Sequence, residues 1–307
     1  MCEVSIIITT FNRPEWLKIA IESAINQNFS KKEIIVVDDG SAGEETNLLV
    51  RDYPFVKYIY QKNQGLGVAR NTGLAASKGY FIQFLDDDDW LEANSCSEKI
   101  NIINQKPDLS AVYSDLYITN QEGQVISKYF QNYKGSPPTG DIYERIIVNN
   151  FIPVHSPLWR KSIIENLGGF ATRSGHEDWE LIIQAAVNGK FDFIDKPLGY
   201  YRLHQKNMSK SFKVMITGKL ALHETIVNSE RFDSLPGSIK INLLLKYSLQ
   251  QYAFGSQGLA NKYYSLALKG EERNQYLRVV TRILLNSPRL ISKSLLLLNH
   301  NFHKIHA

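Results

Sequence analysis

Three short runs of apolar, largely β-branched residues, each running into polar side chains, limit what this chain can fold into. They are VSIIITTF (Val4 to Phe11), EIIVVDD (Glu33 to Asp39) and YFIQFL (Tyr80 to Leu85), the last followed at once by Asp86, Asp87, Asp88 and Asp89. Runs that are apolar throughout, not alternately, suit strands buried on both faces, as in a parallel sheet. VKYIY (Val56 to Tyr60) reads as a further strand. Between the first two runs, Leu17, Ala20, Ile21, Ala24 and Ile25 recur at helical spacing, with Asn12 expected as the cap and Pro14 in the first turn. GLGVARNTGLAASKG (Gly65 to Gly79) starts in glycine and reads as a second helix. Strand and helix alternate, which predicts an α/β fold with a mostly parallel central sheet flanked by helices.

The polar clusters TTFN, DDGS and DDDDW all fall at or just past the C-terminal ends of strands. That edge is where open α/β sheets bind ligands. Their convergence is the main evidence in the residues for an active site.

Composition narrows the function. A net charge of +4 over 307 residues does not suggest nucleic acid, and no nucleic-acid partner is expected. Cys2 and Cys96 make neither a disulfide framework nor a zinc spacing. With no signal-peptide pattern at the start, a cytoplasmic location is expected. The charge is uneven: from Arg273 to Ala307 there is no acid, while Arg273, Arg278, Arg282, Arg289, Lys293 and Lys304 are all basic.

Several residues invite a chemical reading. Asp38 and Asp39 end a strand, where they suit either a turn or a rigid carboxylate facing a ligand. GLGVAR has Arg70 where a dinucleotide fingerprint needs its third glycine, and it follows the loop QKNQ, so that fingerprint is rejected. In an extended segment Asp86 and Asp88 face the same way. Their hard oxygens suit Mg²⁺ or Mn²⁺ with phosphate completing the shell. Asp87 and Asp89 are left as solvated or loop-bonding neighbours. Glu177 and Asp178 open the helix EDWELIIQAAVN, ahead of Gly189 as its cap. They are equally well read as stabilisers of a helix start or as a general base. His204 reads as a surface histidine or a contact to metal or phosphate, and His155 as ambiguous, with an acceptor pocket as one reading.

Five segments in order resemble the family-2 glycosyltransferases of GT-A fold: VSIIITTFNRPEWLKIAIESAINQNF, EIIVVDDGS, NQGLGVARNTGLAASKGYFIQFLDDDDW, GGFATRSGHEDWELIIQAA and PLGYYRLHQKNMS. The resemblance spans about Val4 to Ser209. It implies inverting transfer of a sugar from a nucleotide-diphosphate sugar, usually a UDP-sugar, to an acceptor hydroxyl of a saccharide or lipid-linked saccharide. On that resemblance Thr9 and Phe11 pack around the base and Asp39 bonds uracil. Arg70 contacts the nucleotide. Asp86 lies near the ribose and Asp88 on the cation, Mn²⁺ or Mg²⁺. Asp178 is the catalytic base with Glu177 beside it, and His204 lies near diphosphate and metal. A nucleotidyltransferase and a non-catalytic sugar-nucleotide-binding module are the alternatives.

The expected organisation is a catalytic domain over residues 1–212 and a helical region over 213–307, broken near SLPGS and NSPR. LRVVTRILLNSPRLISKSLLLL, within the basic tail, reads as helices packed on the catalytic domain or as a peripheral contact with an anionic membrane, which would place the protein at the inner face of the plasma membrane.

Overall fold

A computed structural model describes residues 2–173, 175–205, 207–208, 211–269 and 285. The chain divides into two compact units, Met1–Lys210 and Ser211–Ala307.

In the first unit the expected strands form: β1 (Val4–Thr10), β2 (Lys32–Asp38), β3 (Val56–Tyr60) and β4 (Phe81–Asp86). All four run parallel, in the order β3-β2-β1-β4. Every residue of β1 is buried, as its unbroken apolar run requires. Alternate residues serve opposite faces. Ile6 and Ile8 join Leu17, Ala20 and Ile21 of α1 (Pro14–Ile25) in one core. On the other face Ile7 meets α3 (Leu66–Ala76) at Gly73, where an added Cβ would lie 2.3 Å from the Ile7 Cγ2. The helix α2 (Glu45–Arg51) connects β2 to β3.

Beyond β4 the sheet becomes mixed. It continues β4-β8-β6-β9-β5, with β7 (Val125–Lys128) paired to β6 (Leu109–Thr119). β8 (Leu158–Arg160) is antiparallel to both β4 and β6. β9 (Lys190–Arg202) is parallel to β6, and β5 (Trp90–Leu91) is antiparallel to β9. Sequence patterning does not show β8 or β9. β8 is three residues long, and β9 contains Pro197, which lacks a ladder donor. A register shift beside the Asp115–Pro197 pair accommodates it. The helices α4 (Ser95–Ile103), α5 (Tyr143–Ile146), α6 (Lys161–Asn166) and α7 (Glu177–Asn188) complete the unit.

One local expectation changes. Asn12 does not cap α1; Arg13 holds the cap position, and its side chain makes no capping bond to the helix. Asn12 instead takes a left-handed conformation, φ 56°, which asparagine tolerates better than most residues. From there its N–H donates to Ser41 Oγ at 2.8 Å and its Oδ1 accepts from Ala42 N at 2.7 Å. The loops after β1 and β2 are thereby tied together. Gly189 holds the C-cap of α7 as expected, with extended backbone and its N–H on Ala185 O at 3.0 Å. Close approach explains it: an added Cβ would lie 1.8 Å from Ser110 Oγ.

The second unit contains α8 (Phe212–Val227), α9 (Gly237–Phe254) and α10 (Gln257–Lys269). The break at SLPGS falls between α8 and α9. Its core includes Leu222, Ile226, Leu244 and Leu245, with His223 stacked on Tyr247 at 4.0 Å. No helix among the described residues is long and apolar enough to cross a membrane. The NSPR break and the basic tail lie outside the described residues, apart from Leu285.

Candidate active site

The four aspartates sit at the C-terminal edge of β4. They do not continue as an extended segment: after Asp86 the chain turns, and Asp89 N donates to Asp86 O at 3.2 Å. The turn, not strand alternation, gathers carboxylate oxygens of Asp86, Asp88 and Asp89 within 4.8 Å of one another. Each acid has its own partners. Asp86 Oδ1 accepts from Arg70 Nη2 at 2.8 Å and from Thr9 Oγ1 at 3.4 Å. Asp87 accepts from Thr10 Oγ1 at 2.8 Å, Phe11 N at 3.3 Å and Arg13 Nη1 at 3.0 Å. Asp88 Oδ2 takes both Arg13 Nη1 and His204 Nε2 at 2.8 Å. Asp89 accepts from Arg202 N at 2.9 Å and pairs with His155 Nδ1 at 3.0 Å.

Asp87 and Asp89 are therefore not solvated. Both are buried, and they anchor the turn to β1 and to β9. His155 lies with them. It is buried, held against Asp89 and stacked on Tyr201, and so it positions the turn.

Burial sets the protonation of these acids, adjusted by their neighbours. Burial first, then the Asp88 charge, pushes Asp87 up to about 7. Burial raises Asp89 to about 6 against the pull of His155. For Asp86 burial also works upward, but Arg70, His155 and Arg13 prevail and hold it below the usual carboxylate range.

Arg70 links this turn to the other acidic pair. It projects from α3, is 2% exposed, and donates through Nη1 to Glu177 Oε1 at 3.1 Å. Its guanidinium also lies 5.3 Å from the Phe170 ring centroid. Gly67 makes the approach possible, since an added Cβ would lie 2.2 Å from Ala171 O in the segment leading to α7. Glu177 and Asp178 open α7 after His176, which has φ 62°. Glu177 is buried against Arg70. Asp178 is less covered and borders a small cavity lined by Val154, Pro157, Trp159, Phe170, Leu181 and Ile182. Burial first and Glu177 second push Asp178 up to about 6, opposed by Arg70.

Asp39 stands apart from the acid turn. Its carboxylate accepts from Gln61 Nε2 at 2.7 Å, Gln64 N at 2.9 Å and Gly65 N at 2.8 Å, fixing the loop that leads into α3. Gly65 reaches it with φ 92°, a conformation that glycine adopts without strain. Phe11 is 45% exposed, beside the buried Thr9 and Thr10.

Sequence reasoning left out Arg13, Arg202 and Trp16. Arg202 donates through Nε to Asp88 O at 2.9 Å and lies over Trp90 at 4.6 Å. Trp16 packs on His204 with centroids 4.3 Å apart. The only signal for them was their place inside the segments that carried the resemblance.

The oxygens gathered by the turn suit a hard divalent cation. Asp88 and Asp86 would hold it, with Asp89, which faces Arg202 N and His155 Nδ1, beside them.

The glycosyl transferase family 2 model matches residues 5–167. The cholesterol galactosyltransferase of Borreliella burgdorferi is 30% identical over 273 residues, 82% of this chain and 74% of that protein. Among solved structures, S. aureus TarS 1-349 in complex with UDP-GlcNAc aligns with TM-score 0.62 at 19% identity, over 91% of this chain and 79% of that one. The mannosyltransferase PcManGT from Pyrobaculum calidifontis, in complex with GDP-Man and Mn²⁺, aligns with TM-score 0.58 at 15% identity, over 95% and 83%. At such identities the structural likeness is one of fold. The family model covers β1 through α6, including the whole acid turn, and on that match the chain belongs to glycosyl transferase family 2.

Proposed function

We propose that this glycosyltransferase moves a sugar from a nucleotide-diphosphate sugar, most simply a UDP-sugar, to an acceptor hydroxyl by a single inverting displacement. Residues 1–212 form the catalytic domain on this reading, and residues 213–307 a helical extension. The observation that carries it is Arg70, which joins Asp86 of the acid turn to Glu177 beside Asp178. Donor end and base end thus meet at one buried cation.

Asp178 is the base. An acceptor hydroxyl is a weak nucleophile near neutral pH, and a carboxylate within reach takes its proton as it attacks the anomeric carbon. A carboxyl raised to about 6 is still ionised at pH 7 and is a better proton acceptor than an ordinary aspartate. Glu177 keeps Arg70 in place. Asp86, held ionised by Arg70, faces the donor's ribose, and Asp88 with His204 faces the diphosphate. A divalent cation on Asp88 and Asp86, when bound, supplies the positive charge that stabilises the leaving diphosphate. Thr9, Phe11 and Asp39 form the nucleotide end, with Phe11 as the exposed ring for the base. TarS with UDP-GlcNAc and PcManGT with GDP-Man and Mn²⁺ support a nucleotide-sugar donor and a cation.

The acceptor is a saccharide or lipid-linked saccharide of cell-surface polysaccharide or glycolipid assembly. The cholesterol galactosyltransferase supports a lipid-borne acceptor. A cytoplasmic enzyme touching the inner face of the plasma membrane through its basic tail suits such an acceptor.

The test is a thermal-shift screen of UDP-, GDP-, ADP- and dTDP-sugars with and without Mn²⁺. Product configuration is then read by NMR for the stabilising donor. Stabilisation by one donor class only with Mn²⁺, and an inverted anomeric centre, are expected. A retained configuration overturns the single displacement, and pyrophosphate release would mark a nucleotidyltransferase. Donor binding without turnover, with water as acceptor included, would mark a binding module.

A further inference from the structure

Arg13 bonds one carboxylate oxygen of Asp88, Oδ2, which it shares with His204 Nε2. A single nitrogen, Nη1, donates to Asp87 Oδ1 at 3.0 Å and to Asp88 Oδ2 at 2.8 Å. The other two arginines at the turn are fixed more deeply. Arg70 is 2% exposed and bonded to Asp86 and Glu177. Arg202 is buried and bonded to Asp88 O and Gln121 O. Arg13 is 27% exposed. It also lies 5.7 Å from the Trp16 ring centroid, a face along which a guanidinium can shift.

Adjacent carboxylates repel, and Arg13 offsets this for Asp87 and Asp88. A guanidinium and a divalent cation cannot share Asp88 without strong like-charge repulsion at contact distance. Of the two, the partly exposed arginine is the group with room to move. The turn survives its departure, because Asp87 keeps Thr10 Oγ1 and Phe11 N, while Asp89 keeps His155 and Arg202.

We propose that Arg13 is a stand-in counter-ion. It neutralises Asp87 and Asp88 in the donor-free protein, yields Asp88 to the incoming divalent cation, and then turns its guanidinium toward the donor's diphosphate, which an arginine fork suits. This rests on the reading of the acid turn as a cation site.

Mn²⁺ binding to the donor-free full chain tests it, followed by the loss of the free-ion EPR signal. Wild type is compared with Arg13→Gln, Arg13→Met, Arg13→Lys and Asp88→Asn, each checked for folding by thermal unfolding. Arg13→Gln is expected to bind Mn²⁺ about fivefold more tightly than wild type, the scale of a part-exposed ion pair. Arg13→Met, of similar length and uncharged, gives the same result should the glutamine variant fold poorly. Arg13→Lys stays near wild type. An arginine that merely scaffolds the turn predicts the opposite sign, so unchanged or weaker binding in both neutral variants overturns the proposal. Loss of binding in Asp88→Asn alongside such a result removes only the role of Arg13. Equal binding by wild type and Asp88→Asn removes the cation site as well.

Discussion

Arg70 and Glu177, separated by 107 positions in the chain, are joined inside the fold by an Nη1–Oε1 hydrogen bond of 3.1 Å. The other arm of the same guanidinium reaches Asp86 Oδ1 at 2.8 Å. The end of β4 is thereby joined to the start of α7 by one side chain. Replacing Arg70 with Leu would leave two carboxylates beside a buried gap. A loss of about 3–5 kcal/mol is expected, as for breaking other buried charge pairs. Denaturant unfolding checks it. Arg70→Lys offers one compact ammonium where two arms are needed, so transfer should fall even where the variant folds. A Lys variant as active as wild type would show that the bridge is unnecessary.

On the proposed reading, Asp178 governs the pH profile. A base works only when deprotonated, and Asp178 is held at about 6. With a saturating cation and acceptor, kcat/KM should rise about tenfold per pH unit below that value and level above it. Asp178→Asn should lower transfer by about 10²–10⁴-fold and leave donor binding intact. A full-rate Asn variant would reassign the base.

The same raised value makes a stability prediction with a definite sign. The folded pKa lies above the unfolded one, so the fold favours the protonated carboxyl. That contribution is fully present below about 4, the unfolded pKa, and is lost as pH rises through about 6. Donor-free Asp178→Asn should therefore melt above wild type at pH 8, with the gap closing toward pH 4. Equal melting temperatures at every pH would mean that the carboxylate is not penalised by its surroundings.

Gly67 is a test of close packing. An added Cβ meets a backbone carbonyl, Ala171 O, at 2.2 Å. Backbone cannot rotate away as a side chain can, so Gly67→Ala must move α3 or the segment before α7. A cost of about 1–3 kcal/mol is expected, the range for overpacking. Transfer should fall too, because Arg70 and Asp178 ride on the two displaced pieces. Unchanged unfolding and activity would show that the segment yields freely.

Asn12 tests the tie between the first two strand ends. Asn12→Val places a β-branched residue at φ 56° and removes the acceptor for Ala42 N. Strain of about 1–3 kcal/mol is expected, read as a lower urea midpoint. Asn12→Gly should lose much less, since glycine adopts that backbone freely.

The parallel half of the sheet was legible because β1, β2 and β4 are apolar on both faces, a pattern that local sequence displays directly. The location of the site followed, because ligands gather at the C-terminal edge of such strands. The second half was hidden. β8 is too short for periodicity, and β9 carries Asp195, Lys196, Pro197 and Gly199 in a row. Burial of Asp87 and Asp89 was equally invisible. Nothing in DDDDW shows that Thr10, Arg13, His155 and Arg202 will arrive from distant parts of the chain. Asn12 was misread because capping and left-handed turns favour the same residue, and only torsion angles separate them.

The bond from Arg202 N to Asp89 spans 113 positions, and that from His204 to Asp88 spans 116. This has a consequence for the order of events on the ribosome. The strands β1 to β4 can pair as soon as residue 86 has emerged, while Arg202 and His204 are still unmade. In that interval the acid turn has only Arg13 and Arg70 for compensation, and closing so long a loop is slow. A nascent chain halted between Asp86 and His204 holds all the residues of the parallel half while Asp88 still lacks His204. The full set of partners of the acid turn is thus completed only near the end of this unit's synthesis.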